Sequence, residues 1–211
     1  MQKKKISITG SCGFIGHNVY RILAEQGHAV KGVDSHTDYG FIPKDELDYL
    51  KEARETESGN YSWHSDIVSP YTANMVAFQG QDCIIHLASF PRQKVVNDNP
   101  IEASKTMMTG LLHLLESAVR YQVKRFVYIS SSMVYGDFKK IPQPEDSDRS
   151  PQSKYGIIKY LSEDMVTKFC ETYGMNWKIV RPSAVYGDLD NYDRVVGKFI
   201  QRAIHDEELT V

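Results

Sequence analysis

Short runs of apolar and β-branched residues alternate along the chain with longer segments in which apolar residues recur every three or four positions. The short runs predict strands over residues 5–9, 29–34, 62–67, 83–88, 125–130 and 177–180. The longer segments predict helices over residues 14–26, 44–55, 71–79, 100–119, 152–173 and 194–205, and another strand begins at Leu209. Strands that alternate with helices predict an α/β fold, a doubly wound parallel sheet with helices on both faces. Ligands of such folds bind beyond the carboxyl ends of the strands.

A glycine-rich segment follows the first predicted strand and opens the first predicted helix. Its sequence, GSCGFIG, has glycines at positions 10, 13 and 16. This spacing allows a tight turn, close approach of the backbone to a pyrophosphate and close packing of the helix on the strand. Because the segment lies between a strand and a helix, it indicates a dinucleotide-binding turn. The alternative is a glycine-rich turn that binds no ligand.

Acidic residues lie at the predicted ends of the second and third strands. Asp34 follows Gly16 by 18 residues, where a carboxylate binds the ribose hydroxyls of NAD and repels the 2′-phosphate of NADP. No arginine directly follows Asp34, which favours NAD; the alternative is a surface acid at a strand end. Asp66 is predicted to accept a hydrogen bond from the adenine amino group while Ile67 packs on the ring, although spacing alone does not decide this.

The fourth predicted strand ends in Leu87, Ala88 and Ser89. Small residues at this place leave room for a cofactor, and ordinary packing at a strand end explains them equally well.

Tyr155 and Lys159 lie four residues apart on the longest predicted helix and therefore share a face. A nearby ammonium group stabilises a phenolate and lowers the pKa of a tyrosine, which then exchanges a proton with an alcohol while hydride leaves the carbon. The serines at 130–132 end the fifth strand, where a hydroxyl can hold the substrate oxygen. The alternative is that the serines only terminate the strand and Tyr155 only packs.

Five segments in this order, GSCGFIG, HLAS, SSSMVYG, YGIIK and RPSAVYG, resemble the extended short-chain dehydrogenase/reductase family, specifically its NAD-dependent nucleotide-sugar epimerase/dehydratase branch. The resemblance covers residues 5 to about 190 and implies a Rossmann fold that binds NAD and acts on a nucleotide sugar. It implies three catalytic residues: Ser131, Tyr155 and Lys159. It also implies cofactor contacts from Gly10, Gly13, Phe14, Ile15, Gly16, Asp34, Asp66, Ile67, Leu87, Ala88, Lys159 and Pro182, and Ser89 is a further candidate.

Four positions depart from the family pattern. The places of the Asp-Glu pair of sugar dehydratases hold Ser132 and Met133, and methionine cannot transfer a proton, which favours an epimerase. Met107 replaces an asparagine near the cofactor, and Ala184 replaces one that contacts the substrate diphosphate. Arg92 is therefore a candidate phosphate contact; the alternative is a solvated loop arginine.

Composition excludes several other classes of protein. The chain has 211 residues, 25 Lys and Arg, 27 Asp and Glu, and a formal charge of −2 without a basic stripe, which opposes nucleic-acid binding. The sequence predicts no membrane span and no secretory signal. Three cysteines without a CxxC pair indicate buried reduced thiols in a cytoplasmic protein, and neither disulfides nor a metal site is expected.

The resemblance divides the chain into a cofactor domain over residues 1–180 and the start of a truncated substrate-binding region over residues 181–211. It also implies a homodimer in which helices near residues 100–121 and 152–173 pack into a four-helix bundle. The predicted function is an epimerase that oxidises a sugar hydroxyl transiently. Alternatives are a reductase, dehydrogenase or dehydratase of a nucleotide sugar, or a non-catalytic NAD-binding protein or inactive fragment.

Overall fold

Six parallel strands form one sheet in the computed structural model, which describes residues 2–60, 62–69, 76–90, 92–191 and 193–209. The strands are β1 (Lys5–Thr9), β2 (Ala29–Asp34), β3 (Trp63–His64), β4 (Cys83–His86), β5 (Arg125–Ile129) and β6 (Asn176–Val180). Their order in the sheet is β3-β2-β1-β4-β5-β6, and every neighbouring pair is parallel. The predicted doubly wound parallel sheet is thereby confirmed.

The burial of β1 matches its central position in the sheet. Residues 6–9 are all buried, without the alternation of a half-exposed strand, as expected where helices cover both faces. From β1 the chain moves outward to β2 and β3, and from β4 it moves in the opposite direction to β5 and β6. Right-handed crossovers that run in opposite directions put their helices on opposite faces of the sheet. A crevice therefore opens at the carboxyl ends of β1 and β4.

The helices connect these strands. They are α1 (Phe14–Glu25), α2 (Lys44–Ser58), α3 (Gln93–Asp98), α4 (Pro100–Ser104), α5 (Leu111–Arg120), α6 (Lys154–Tyr173) and α7 (Val195–Ile204). A π-helical segment, Lys105–Gly110, joins α4 to α5, and a 3₁₀ turn, Ser132–Val134, follows β5. Among the described residues, no helix combines the length and the apolar character that crossing a bilayer requires.

The main core lies between the sheet and the apolar side of α5 and α6. Leu111, Leu115 and Val166 are completely buried there against Ile84 and Phe126 of the sheet. Burial of this apolar face is the main favourable contribution to folding on this side of the sheet.

The structure departs from the predicted elements in three places. The third strand is only two residues long instead of six, and α3 was not predicted. The predicted helix over 71–79 falls mostly outside the described residues. The predicted strand at Leu209 is absent at that residue, and its continuation also lies outside them. The domain boundary at residue 180 stays a prediction.

Candidate functional site

The glycine-rich turn lies at the carboxyl end of β1. Gly10 has a φ of +71°, and a Cβ atom there would lie 2.7 Å from the Ala88 backbone nitrogen. A Cβ atom at Gly16 would lie 2.0 Å from the Gly10 carbonyl oxygen, so neither position has space for a side chain. Gly13 precedes the first residue of α1, whose first N–H groups have no partner within the helix. The turn therefore exposes backbone donors in a cradle that fits a pyrophosphate.

Asp34 closes one side of this turn. Its carboxylate accepts hydrogen bonds from the backbone N–H groups of Cys12 and His36, each at 2.9 Å. The two bonds fix the carboxylate at the end of β2, beside the glycine-rich turn. An acceptor held in this way fits the ribose hydroxyls of a dinucleotide.

A cavity of about 730 Å³ extends along the carboxyl edge of the sheet. It brings together every residue predicted for the site. Its walls include Gly10, Gly13, Phe14, Ile15, Gly16, Asp34, Asp66, Ile67, Leu87, Ala88, Ser89, Ser131, Tyr155, Lys159 and Pro182. The roles assigned to these residues stay predictions, and their juxtaposition in one cavity is an observation.

The start of α6 is fitted closely against the 3₁₀ turn after β5. Ser153 caps the helix by accepting the N–H of Gly156 at 3.1 Å. A Cβ atom at Gly156 would lie 2.7 Å from the Met133 carbonyl oxygen, so only glycine permits this approach. Ser131 in turn accepts the N–H of Met133 at 3.2 Å. This close packing carries Tyr155 to the Ser131 hydroxyl.

Tyr155 and Ser131 both line the cavity, and the Ser131 side chain is close enough to affect the Tyr155 phenol. Burial raises the pKa of Tyr155, while the Ser131 hydroxyl and the charge of Arg194 lower it by smaller amounts. The net pKa is therefore raised, in contrast to the lowering expected from the Tyr155–Lys159 spacing. The phenol is consequently a hydrogen-bond donor at neutral pH in this state.

Lys159 lines the cavity and has only 5% of its surface exposed. Its Nζ donates to the Ile129 carbonyl oxygen at 2.8 Å and lies 5.9 Å from the centre of the Tyr155 ring. Burial lowers the pKa of Lys159 to about 8, against a smaller opposing effect of Glu163. An ammonium group is therefore buried next to Tyr155 despite the free-energy cost of removing it from water. Buried charged groups of this kind are common at functional sites.

The alternative prediction for Arg92, a solvated loop arginine, was wrong. Arg92 is not a solvated loop residue, because it hydrogen-bonds Asn191, pairs with Asp193 and lies 4.9 Å from the Phe41 ring centre. Arg92 lines the cavity, but its guanidinium already forms a salt bridge with Asp193 of this chain. A phosphate contact by Arg92 stays a prediction.

Sequence reasoning missed Arg54, which is buried on α2. Its guanidinium donates to the Leu189 carbonyl oxygen at 2.7 and 3.1 Å and to the Cys12 carbonyl oxygen at 3.4 Å. Arg54 thus ties the glycine-rich turn to the segment after β6. No local pattern around Arg54 indicates this role, because both partners are distant in sequence.

Known proteins of similar sequence are longer than this chain. The UDP-glucuronate 4-epimerase of Thermodesulfobacterium geofontis is 28% identical over 207 residues, which are 97% of this chain and 63% of that protein. Protein CapI of Staphylococcus aureus is 28% identical over 212 residues, 98% of this chain and 62% of CapI. The chain thus spans a little under two thirds of the length of these relatives.

Solved structures of similar fold agree with the sequence matches. The UDP-glucose 4-epimerase of Thermotoga maritima, solved with UDP-glucose, has a TM-score of 0.81 and 29% identity over 97% of this chain and 64% of its own. The UDP-glucuronic acid 4-epimerase of Bacillus cereus, solved with UDP-glucuronic acid and NAD, has a TM-score of 0.85 and 26% identity. The match covers 98% of this chain and 65% of that protein. The sequence also matches one family along almost its whole length, residues 6–211. The resemblance predicted from the motifs and its NAD dependence are confirmed at this level: the chain belongs to the NAD dependent epimerase/dehydratase family.

Proposed function

We propose that this protein is a nucleotide-sugar 4-epimerase that acts on a UDP-hexose through transient oxidation of the sugar hydroxyl at C4. The observation that carries the proposal is that Ser131, Tyr155 and the buried Lys159 line the same cavity as the glycine-rich turn. Relatives and structural neighbours with epimerase names support the reaction and the choice of UDP-sugars.

The cofactor fits the residues that line the cavity. The turn at Gly10 and Gly16 is the cradle for the pyrophosphate, and Asp34 binds the adenosine ribose. Lys159 binds the second ribose, because it lines the cavity with its ammonium 5.9 Å from the centre of the Tyr155 ring. When bound, NAD would supply the acceptor and the donor of the hydride that leaves the sugar carbon and comes back to it.

Tyr155 and Ser131 handle the proton. Ser131 holds the sugar oxygen, and the Tyr155 phenolate removes the hydroxyl proton as the C–H electron pair leaves as hydride. Tyr155 is protonated in the NAD-free protein, and the positive charges of Lys159 and of bound NAD would together favour the phenolate. Tyr155 returns the same proton to the oxygen of the transient ketone when hydride comes back to its opposite face. The cofactor is then unchanged, and the configuration at the carbon is inverted.

The residues at positions 132 and 133, Ser132 and Met133, favour an epimerase reaction over a dehydratase reaction. Both residues follow Ser131 in the 3₁₀ turn, where Met133 offers no group that transfers a proton. Elimination of water needs an acid and a base at neighbouring carbons, so the epimerase reaction is favoured.

The direct test is incubation of the protein and NAD with UDP-glucose and, separately, with UDP-glucuronate. We expect the 4-epimer to accumulate to an equilibrium mixture while NADH stays far below the amount of product. Chromatography of the nucleotide sugars and absorbance of NADH measure the two quantities. Stoichiometric NADH would instead identify a dehydrogenase, and NAD binding without turnover of either sugar would favour the non-catalytic alternative.

We propose in addition that the protein forms a homodimer through α4, α5 and α6. These helices expose four aliphatic side chains, Ile101, Leu112, Ile157 and Leu161, by 74%, 41%, 44% and 44%. Exposed apolar side chains on packed neighbouring helices are typical of interaction surfaces.

Leu161→Glu tests this dimer because it adds a charge within the proposed surface. We expect sedimentation to show a dimer for the wild type and a monomer for Leu161→Glu. Ile22→Glu is the matched control, since Ile22 lies on α1 and has the same exposed fraction of 44%. A monomeric wild type, or equal dissociation by Ile22→Glu, would contradict the proposed surface.

A further inference from the structure

Three metal-ligating side chains that are distant in sequence meet beside the glycine-rich turn. They are Cys12 in the turn, His36 after β2 and Glu55 in α2, and their ligand atoms lie within 4.8 Å of one another. The proposed epimerase reaction uses none of these three side chains. The absence of a CxxC pair in the sequence does not bear on this cluster, since the fold assembles it from three separate segments.

The distances between the three ligand atoms are those of a coordination site. Cys12 Sγ lies 4.0 Å from His36 Nε2 and 3.5 Å from Glu55 Oε1, and the last two atoms are 3.8 Å apart. In the plane of the three atoms, the equidistant point lies about 2.2 Å from each, and zinc ligands lie about 2.0–2.3 Å from the metal. A tetrahedral ion lies outside this plane, so the three ligand atoms must move closer together to seat it, and a fourth position is then left for an oxygen.

The chemistry of these ligands selects the ion. A thiolate with an imidazole and a carboxylate suits Zn²⁺, whereas Mg²⁺ and Ca²⁺ prefer sites made only of oxygen. Ser62 Oγ lies 3.1 Å from Cys12 Sγ and 2.9 Å from His36 Nε2, so a hydroxyl is present beside two of the three ligands. The fourth ligand is this hydroxyl or a water molecule.

Neighbouring groups hold the ligands in place, as is typical of metal sites. Asp34 accepts the backbone N–H groups of both Cys12 and His36. The His36 ring stacks on His64 with centres 5.2 Å apart and planes 24° apart, which fixes the direction of Nε2. Cys12 and His36 also line the large cavity, and this gives an ion a path from solvent.

We propose that Cys12, His36 and Glu55 form a zinc-binding site on the outer wall of the glycine-rich turn. The site is separate from Ser131, Tyr155 and Lys159, and it does not depend on the proposed epimerase reaction. A bound ion joins the turn, the end of β2 and α2 through side chains, in addition to the backbone contacts that Asp34 makes there.

Titration with Co²⁺, followed by competition with Zn²⁺, tests the site in the untagged protein. We expect one Co²⁺ per chain, a thiolate-to-cobalt charge-transfer band in the near ultraviolet, intense visible bands of a tetrahedral ion, and loss of all bands when Zn²⁺ is added. Cys12→Ser should remove the thiolate band and weaken binding about 100-fold or more, and Glu55→Gln should weaken it about 10-fold while the thiolate band remains.

Cys83→Ser is the matched control, because Cys83 is also a free cysteine but lies in β4. Its spectrum and affinity should equal those of the wild type. Absence of a thiolate band in the wild type, an unchanged band in Cys12→Ser, or unchanged affinity in Glu55→Gln would overturn the proposal. If Cys12→Ser does not fold, as judged by circular dichroism, the Glu55→Gln result still decides.

Discussion

Replacing Tyr155 by phenylalanine is expected to lower the epimerisation rate constant by about 10²–10⁴-fold, the usual contribution of a general acid–base residue. The substitution removes only the phenolic oxygen, whose pKa the Ser131 hydroxyl lowers. The ring stays against the apolar residues that it packs on, near Val96 and Ile158. Binding of NAD should therefore change less than threefold, because no cofactor contact is assigned to the oxygen.

Single-turnover reduction of bound NAD by the UDP-sugar, followed by NADH absorbance, measures the chemical step, and calorimetry measures NAD binding. Tyr173→Phe is the control, since Tyr173 lies on the same helix with 55% of its surface exposed. A rate within tenfold of the wild type in Tyr155→Phe would exclude Tyr155 as the proton-transferring residue.

The glycine-rich turn and the Tyr155–Lys159 pair could be predicted because local geometry determines them. The turn has no space for side chains at Gly10 and Gly16, so only glycine fits at these positions. The fixed spacing of the glycines is therefore visible in the sequence. Two residues four apart on a helix share a face in any fold that keeps the helix. The sheet topology then followed from the alternation of strands and helices.

Contacts between distant segments could not be predicted in this way. Arg54 and Leu189 are 135 positions apart, and Arg92 and Asp193 are 101 apart, so no periodicity connects them. The cluster of Cys12, His36 and Glu55 has the same origin, because each residue lies on a different element. The length of β3 was also overestimated, since its two residues lie at the exposed edge of the sheet, where local pattern says least about pairing.

The raised pKa of Tyr155 shows why residue spacing alone does not determine electrostatics. The spacing predicts that Lys159 is near, and it is, but its Nζ is directed to the Ile129 carbonyl oxygen. The pKa of a phenol depends on burial as well as on neighbouring charge, and burial is a property of the whole fold.

Replacing Lys159 by methionine is expected to weaken NAD binding and to remove one contribution to the pH dependence of stability. The substitution removes a charged hydrogen-bond donor assigned to the cofactor ribose, and such a bond contributes about 1.5–3 kcal/mol. NAD affinity, measured by calorimetry, should therefore fall about 10- to 100-fold, and turnover should be lost. Lys168→Met is the control, because Lys168 is an exposed lysine on the same helix.

The stability effect follows from the lowered pKa of Lys159, about 8 in the folded protein against 10.5 for the free side chain. Between these values the unfolded chain binds more protons than the folded one, so wild-type stability rises as the pH rises. Below about pH 8 the folded protein carries the full cost of the buried ammonium. From pH 7 to 9.5 the wild type should gain about 2 kcal/mol relative to Lys159→Met, which has no group to titrate there.

Urea unfolding of the NAD-free protein at both pH values measures this difference. Methionine also leaves the Ile129 carbonyl oxygen without its Nζ donor, and that loss does not vary with pH. The change in the difference between the two proteins therefore isolates the ionisation of Lys159, whatever the sign of the offset at pH 7. Lys168→Met should follow the wild type at both pH values. Parallel pH profiles for the wild type and Lys159→Met would mean that the Lys159 ammonium is solvated in solution. The proposal that a desolvated ammonium stabilises the Tyr155 phenolate would then be contradicted.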